Sequence, residues 1–203
     1  MRKCVGVFHS VSGCHKSLAF RLSRDLQVSH FGRAVGPGDL VFRSPLSVAC
    51  DVTSGRIFAA DADTGCVKVF DAHCSFVTQF GNGSTTSGRN SSAGSENDPA
   101  ILERPVGVCC DSLGNALVCD AGTQRVVLFS RDGRYLCSLI DFRSVAGAAG
   151  KWRSKHRQSS CKLVPVCVGL SSPGSRIAVG LEENGGKSRC FRKLVVCSIS
   201  PEL

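Results

Sequence analysis

Three thiols crowd into "ERPVGVCCDSLGNALVCDAG", residues 103–122, where Cys109 and Cys110 are adjacent, Cys119 follows, and Asp111 and Asp120 stand beside them. Sulfurs next to carboxylates are the raw material of a metal site or a redox pair, and the chain carries 13 cysteines in all. Their spacing points elsewhere. There is no CxxC, and His9, His15, His30, His73 and His156 supply no HxxxH, so the short knuckles of a zinc finger or RING are missing. An odd cysteine count argues against a fully paired secreted framework and favours reduced thiols, hence a cytoplasmic protein. If the stretch is a strand, neighbouring side chains point to opposite faces, and Cys109 and Cys110 cannot grip one ion together. Neither metal nor cofactor is expected.

A second constellation is "KWRSKHR" at 151–157, in which Lys151, Arg153, Lys155 and Arg157, with His156, surround Trp152, the only tryptophan. Alternating cations bind phosphates through counterion release, and an indole stacks on an unpaired base for roughly 1–3 kcal/mol. With no recognition helix in view, that combination suits single-stranded RNA better than duplex DNA. The alternative is a solvated basic loop whose tryptophan only covers a sheet edge. The net charge of +9 and a pI near 9.1 fit an anionic partner, RNA or an acidic protein surface, without deciding the fold. Arg33, Arg43, Arg89 and Arg125 extend the same positive character. No apolar run approaches the roughly 20 residues that span a bilayer, and His9, Ser10 and Ser12 interrupt the short apolar start that would otherwise suggest a targeting signal, so no membrane partner is expected.

The elements that carry these residues repeat. "SPLSVACDVTSGRIFAADADTGCVKVFDAHCSFVTQFG" from Ser44 returns as "RPVGVCCDSLGNALVCDAGTQRVVLFSRDGRYLCSLI" from Arg104, and "VPVCVGLSSPGSRIAVG" from Val164 is a weaker third copy, with Pro45, Pro105 and Pro165 evenly spaced. Short runs of Val, Ile, Phe and Cys between Gly, Asp, Asn and Ser are strands joined by turns. The pattern predicts strands over 46–50, 56–60, 67–70 and 76–80, then 106–110, 116–119, 126–129 and 135–140. Four short antiparallel strands per unit make a propeller blade, so the expected class is all-β. Asp51, Asp61, Asp111 and Asp120 invite a catalytic or calcium reading. Their return at the same place in each unit favours turns, since Asp at a strand end accepts hydrogen bonds from the turn that follows. Cys110 takes the place of Cys50, and Cys119 that of Ala60, where a small or medium apolar side chain is wanted and free cysteine serves as one.

These residues resemble NHL repeats: "PLSVACD", "GRIFAADADTGCVKVFD" and "SFVTQFG", then "RPVGVCCD", "GNALVCDAGTQRVVLFS" and "GRYLCSLI", match that family's proline, "GVAVD", "G-I-V-AD", "RVQVFD" and closing "F-FG". The resemblance implies a ring of about six blades, and the chain holds roughly three to three and a half, an incomplete ring. The expected organisation is a degenerate first blade and closing strand over 1–43, lacking its second strand; a blade over 44–81; a flexible Gly/Ser/Asn-rich connector over 82–103, with sequons at Asn82 and Asn90 that matter only in a secreted protein; a blade over 104–140; a basic connector over 141–160; and a partial blade over 161–203. Such a segment is a fragment of a longer product, or it takes further blades or protein partners from elsewhere. Residues 27–31 offer a spare strand that could complete the last blade.

Similarity to the tripartite-motif NHL group implies a non-enzymatic module that binds RNA or protein, with ubiquitin-ligase chemistry residing in a RING this chain lacks. A protein scaffold without nucleic acid stays open. NHL-like propellers also include a peptidyl-hydroxyglycine lyase, whose chemistry needs metal-binding histidines converging on the disc axis. The histidines here do not recur at matching positions.

Overall fold

Apolar residues at consecutive positions, rather than alternating ones, mark the strands between two packed layers. The runs IFAAD, CVKVF and ALVCD are buried along their whole length. The computed structural model describes residues 3–11, 14–22, 26–30, 42–82, 98–144, 162–171, 176–185 and 189–198. Its strands are β1 (Lys3–Val11), β2 (Cys14–Leu22), β3 (Leu26–His30), β4 (Pro45–Cys50), β5 (Ile57–Asp61), β6 (Cys66–Phe70), β7 (Phe76–Phe80), β8 (Pro105–Cys110), β9 (Ala116–Asp120), β10 (Arg125–Phe129), β11 (Tyr135–Asp141), β12 (Lys162–Leu170), β13 (Arg176–Gly185) and β14 (Arg189–Ser198). They form four antiparallel meanders, ordered β1-β2-β3, β4-β5-β6-β7, β8-β9-β10-β11 and β12-β13-β14.

The first strand of each four-stranded sheet lies nearest its neighbours, with β4 against β8, β8 against β12 and β1 against β4. The inner edge of β8 is joined to the preceding sheet by the Val108 N–H, which donates to the Ser47 hydroxyl at 3.1 Å. Successive sheets stack face to face, in an incomplete ring of propeller blades. Ala116 and Val118 of β9 pack with Phe58, Ala60, Val67, Val69 and Phe80 of the sheet before. Leu117 and Cys119 pack with Ile177, Val179 and Leu181 of the sheet after. One strand therefore serves two cores, which is why no position in it tolerates water. Aromatic rings tie the stack together: Phe80 and Phe129 lie 4.7 Å apart between ring centroids, and Tyr135 meets Phe129 edge-on at 6.2 Å. Gly133, at φ +80°, turns β10 into β11 where a Cβ would stand 2.8 Å from Phe80 Cδ1, so the turn and the neighbouring ring both require glycine.

The strands extend further at their upper ends than the sequence pattern predicts. Asp61 and Asp120 remain in the ladder, opposite Cys66 and Arg125, because their carboxylates are satisfied by backbone donors from the incoming chain. Pro45 and Pro105 also join the ladder, each beside a register shift that accommodates the missing donor. Two expectations for the first unit are corrected. A second strand is present, β2, which pairs with β1 from Lys3↔Leu22 to Val11↔Cys14. The strand expected as a spare, β3, pairs with β2 instead of with the last sheet, since it follows β2 after only three residues and the local partner is the cheaper one to find. Most of the Gly/Ser/Asn-rich connector, with Asn90, and most of the basic connector lie outside the described residues.

Truncating Phe129, wedged between two sheets, is expected to cost about 3–5 kcal/mol in Phe129→Ala, against at most ~0.5 kcal/mol for exposed Leu113→Ala, compared by urea unfolding midpoints.

Candidate partner-binding face

Antiparallel meanders send their turns alternately to the two sides of the disc. The β5–β6 and β9–β10 turns share a side with the connections that enter β4 and β8. On that side each recurring aspartate acts as a clamp. Asp61 accepts hydrogen bonds from the Ser44 N–H at 2.6 Å and the Arg43 N–H at 3.1 Å. Asp120 accepts from the Arg104 N–H at 2.8 Å, the Glu103 N–H at 3.1 Å, the Gly122 N–H at 3.2 Å and the Thr123 hydroxyl at 2.6 Å. Both side chains are fully buried, and with their oxygens occupied by these donors neither is free to act on a substrate.

Asp51 and Asp111 end β4 and β8 on the opposite side. Asp111 accepts from the Leu113 N–H and the Asn115 N–H and side-chain amide, all between 2.8 and 2.9 Å. Asp51 accepts from the Thr53 N–H at 2.9 Å and from the Ser54 hydroxyl. Gly114, at φ +82°, lets the next blade's turn come within reach of this carboxylate, since a Cβ there would lie 2.8 Å from Asp51 Oδ2. Burial raises the Asp51 pKa, but the bonds from Ser54 and Thr53 and the charge of Arg131 outweigh it and hold the carboxyl below its ordinary value.

Arg125 belongs inside, not on the partner-binding face where the sequence put it. It is buried, and its guanidinium donates to the Thr123 hydroxyl at 2.9 Å, the Ile101 carbonyl at 3.2 Å, the Ser138 hydroxyl at 3.4 Å and the Pro99 carbonyl at 3.5 Å. A guanidinium whose planar fork is spent on two carbonyls and two hydroxyls pins the 98–102 connection instead of meeting solvent. Lys151, Trp152, Arg153, Lys155 and Arg157, together with Arg33 and Arg89, lie outside the described residues. The segment holding "KWRSKHR" leaves from the end of β11, opposite Arg125, and returns at the start of β12, beside the β13–β14 turn. Both of its ends are therefore on the clamp side.

Exposed on that side are Arg43, Arg104 and Arg143, together with the acidic Asp63 and Glu103. Arg104 and Arg143 carry no signal in the sequence, because nothing clusters them along the chain; the clamps set Arg43 in register with Glu103, and Ser44 with Arg104. Arg143 bridges to Asp141 at 2.9 Å, and its guanidinium holds the Asp141 carboxyl below the usual range. The cysteines of the opening motif are thiols in packing positions. Burial, with a contribution from Asp111, pushes Cys109 up to about 12, and burial pushes Cys110 and Cys119 higher still, so none is a nucleophile at neutral pH. Among the described residues no three His, Cys, Asp or Glu side chains gather closely enough to hold a metal ion, and no helix is long and apolar enough to cross a membrane.

No family model matches the chain, and no curated protein matches it in sequence. Solved structures do resemble it in fold. Kuenenia stuttgartiensis hydrazine synthase matches with 11% identity and a TM-score of 0.53, over 92% of this chain and 46% of that one. A chain of the nidogen/laminin complex matches with 13% identity and a TM-score of 0.54, over 95% and 61%. These neighbours are β-propellers, and so is this chain. It spans only 46% to 61% of the length of those two structures.

Two outcomes are expected for the aspartates. Asp120→Ala leaves the Glu103 and Arg104 N–H groups without acceptors and is expected to cost about 1–3 kcal/mol, read by urea unfolding. Because the Asp51 pKa is lower folded than unfolded, its contribution is present above about pH 4 and lost as pH falls through the folded value; Asp51→Asn is expected to flatten the decline in stability between about pH 5 and pH 3, followed by unfolding at each pH.

Proposed function

We propose that this chain is a non-enzymatic binding module: an NHL-type propeller segment, of the kind found in tripartite-motif proteins, that takes single-stranded RNA on its clamp side. The observation that carries this is the anchoring of the "KWRSKHR" segment, whose two ends both leave from the side where Arg43, Arg104 and Arg143 are exposed. The aspartate clamps support it further, because they fix the backbones that enter the blades on the side from which the connecting segments leave. The net charge of +9 favours an anionic partner, and the tryptophan among the cations favours unpaired bases over a duplex. In a tripartite-motif setting the module would select RNA or substrate in the cytoplasm for ubiquitin-ligase chemistry supplied by another domain.

Fluorescence anisotropy with single-stranded RNA oligonucleotides, at about 50 and about 200 mM salt, tests it. Binding is expected to weaken steeply with salt, and replacing Lys151, Arg153, Lys155 and Arg157 by Ala is expected to flatten the log–log salt slope by about 0.7 for each phosphate no longer neutralised. Trp152→Ala is expected to cost about 1–3 kcal/mol without changing that slope. Undetectable binding at low salt, or an unaltered slope in the fourfold variant, would overturn the RNA reading and leave an acidic protein surface as the partner.

A further inference from the structure

Of the three arginines exposed on the clamp side, Arg143 alone has its guanidinium held by a carboxylate among the described residues. Its Nε donates to Asp141 Oδ1 at 3.1 Å and its Nη2 to Asp141 Oδ2 at 2.9 Å, so one edge of the planar group is taken by one carboxylate. Of the five N–H donors of a guanidinium, these two leave three, two on Nη1 and one on Nη2. The free edge faces outward, since the side chain is 56% exposed. Its base is rigid. Asp141 stands in the ladder opposite Arg125, and the next residue, Phe142, is buried between two sheets with its N–H donating to the Gln124 carbonyl at 3.0 Å. The Ser144 hydroxyl donates back to the Asp141 carbonyl at 2.8 Å, and the Asp141 carboxylate also accepts the Arg143 N–H at 2.9 Å. Backbone and side chain of Arg143 are thus tied to one anchored residue.

Charge decides what that edge suits. Asp141, with its carboxyl held below the usual range, is ionised at neutral pH and offsets the guanidinium charge, and the carboxylates of Glu103 and Asp120 act on the same group. A phosphate would have to approach these anions. A neutral ring edge carrying two acceptors would not. Guanine presents O6 and N7 side by side, the pair to which an arginine donates with two parallel N–H bonds, whereas adenine sets a donor beside its N7. In a single strand that edge of the base is open to a side chain. We propose that Arg143, positioned by Asp141, recognises guanine in single-stranded RNA. The inference rests on the RNA reading above and adds a base preference to it.

Fluorescence anisotropy with two uridine-rich oligonucleotides, one carrying isolated guanines and the other adenines at the same places, tests this; both bases are purines, so stacking is held nearly constant. The unaltered chain is expected to prefer the guanine strand by about 5- to 150-fold, the worth of one bidentate pair. Substituting 7-deazaguanine, which lacks the N7 acceptor, is expected to remove most of that preference. Arg143→Ala is expected to abolish it while leaving affinity for the adenine strand and the salt slope unchanged, because the lost contact is to a base and not to a phosphate. Asp141→Asn keeps an oxygen for the Arg143 N–H, and so the turn, but releases the cation. It is expected to lose the preference and to steepen the log–log salt slope by about 0.7, with an unchanged circular dichroism spectrum. Equal affinity of the unaltered chain for both strands overturns the proposal, as does a preference that survives either variant. Binding without preference removes this inference alone, whereas no binding to either strand removes the RNA reading and this inference with it.

Discussion

The structure depends on a strand being buried on both faces at once. In β9 the side chains alternate between two cores, Ala116 and Val118 to one and Leu117 and Cys119 to the other. Neither core exists without the neighbouring sheet, because a single meander of four short strands cannot remove its apolar faces from water by itself. Stability therefore belongs to the interfaces between sheets. The Phe80–Phe129 contact and the Ser47–Val108 hydrogen bond matter for the same reason: they join elements that would otherwise share only an apolar surface.

Polar groups inside such a stack are tolerated where a neighbour needs them. Asp61 and Asp120 are fully buried, yet each answers backbone donors that would otherwise be stranded as the chain enters the next blade. Arg125 does the complementary task, offering its guanidinium to the Pro99 and Ile101 carbonyls of the same connection. Donors and acceptors of one crossing are thus matched by an acid and a base from one turn. That matching fixes the path by which the chain enters β8.

This division of labour separates the polar groups consumed by the scaffold from those left at the surface. The recurring aspartates, the cysteines and Arg125 are spent on the fold, while the exposed Arg43, Arg104 and Arg143 lie on the clamp side. A partner-binding role there needs no group with unusual acidity; it needs charge density and a fixed base from which the connecting segments leave.

The repeat, its strands and the turn role of Asp51 and Asp111 were legible in the sequence, because short apolar runs and Gly/Asp turns leave local signatures that two similar copies reinforce; that the Asp61 carboxylate serves the incoming chain instead of its own turn was not. The cysteines were equally legible as packing residues once Cys110 fell into register with Cys50 and Cys119 with Ala60. Strand β2 was not, since "CHKSLAFRL" mixes cations with apolar residues and has no good copy elsewhere in the chain. Nor was the fate of Arg125: a cation at the start of a strand looks the same in sequence whether it meets solvent or carbonyls, and those carbonyls come from a connection more than twenty residues away. By itself the sequence determined the apolar runs and the turns, and with them the class of fold. The tertiary structure decided which polar groups are consumed internally and which faces stay open, because both depend on what the neighbouring sheet brings within hydrogen-bonding or packing distance.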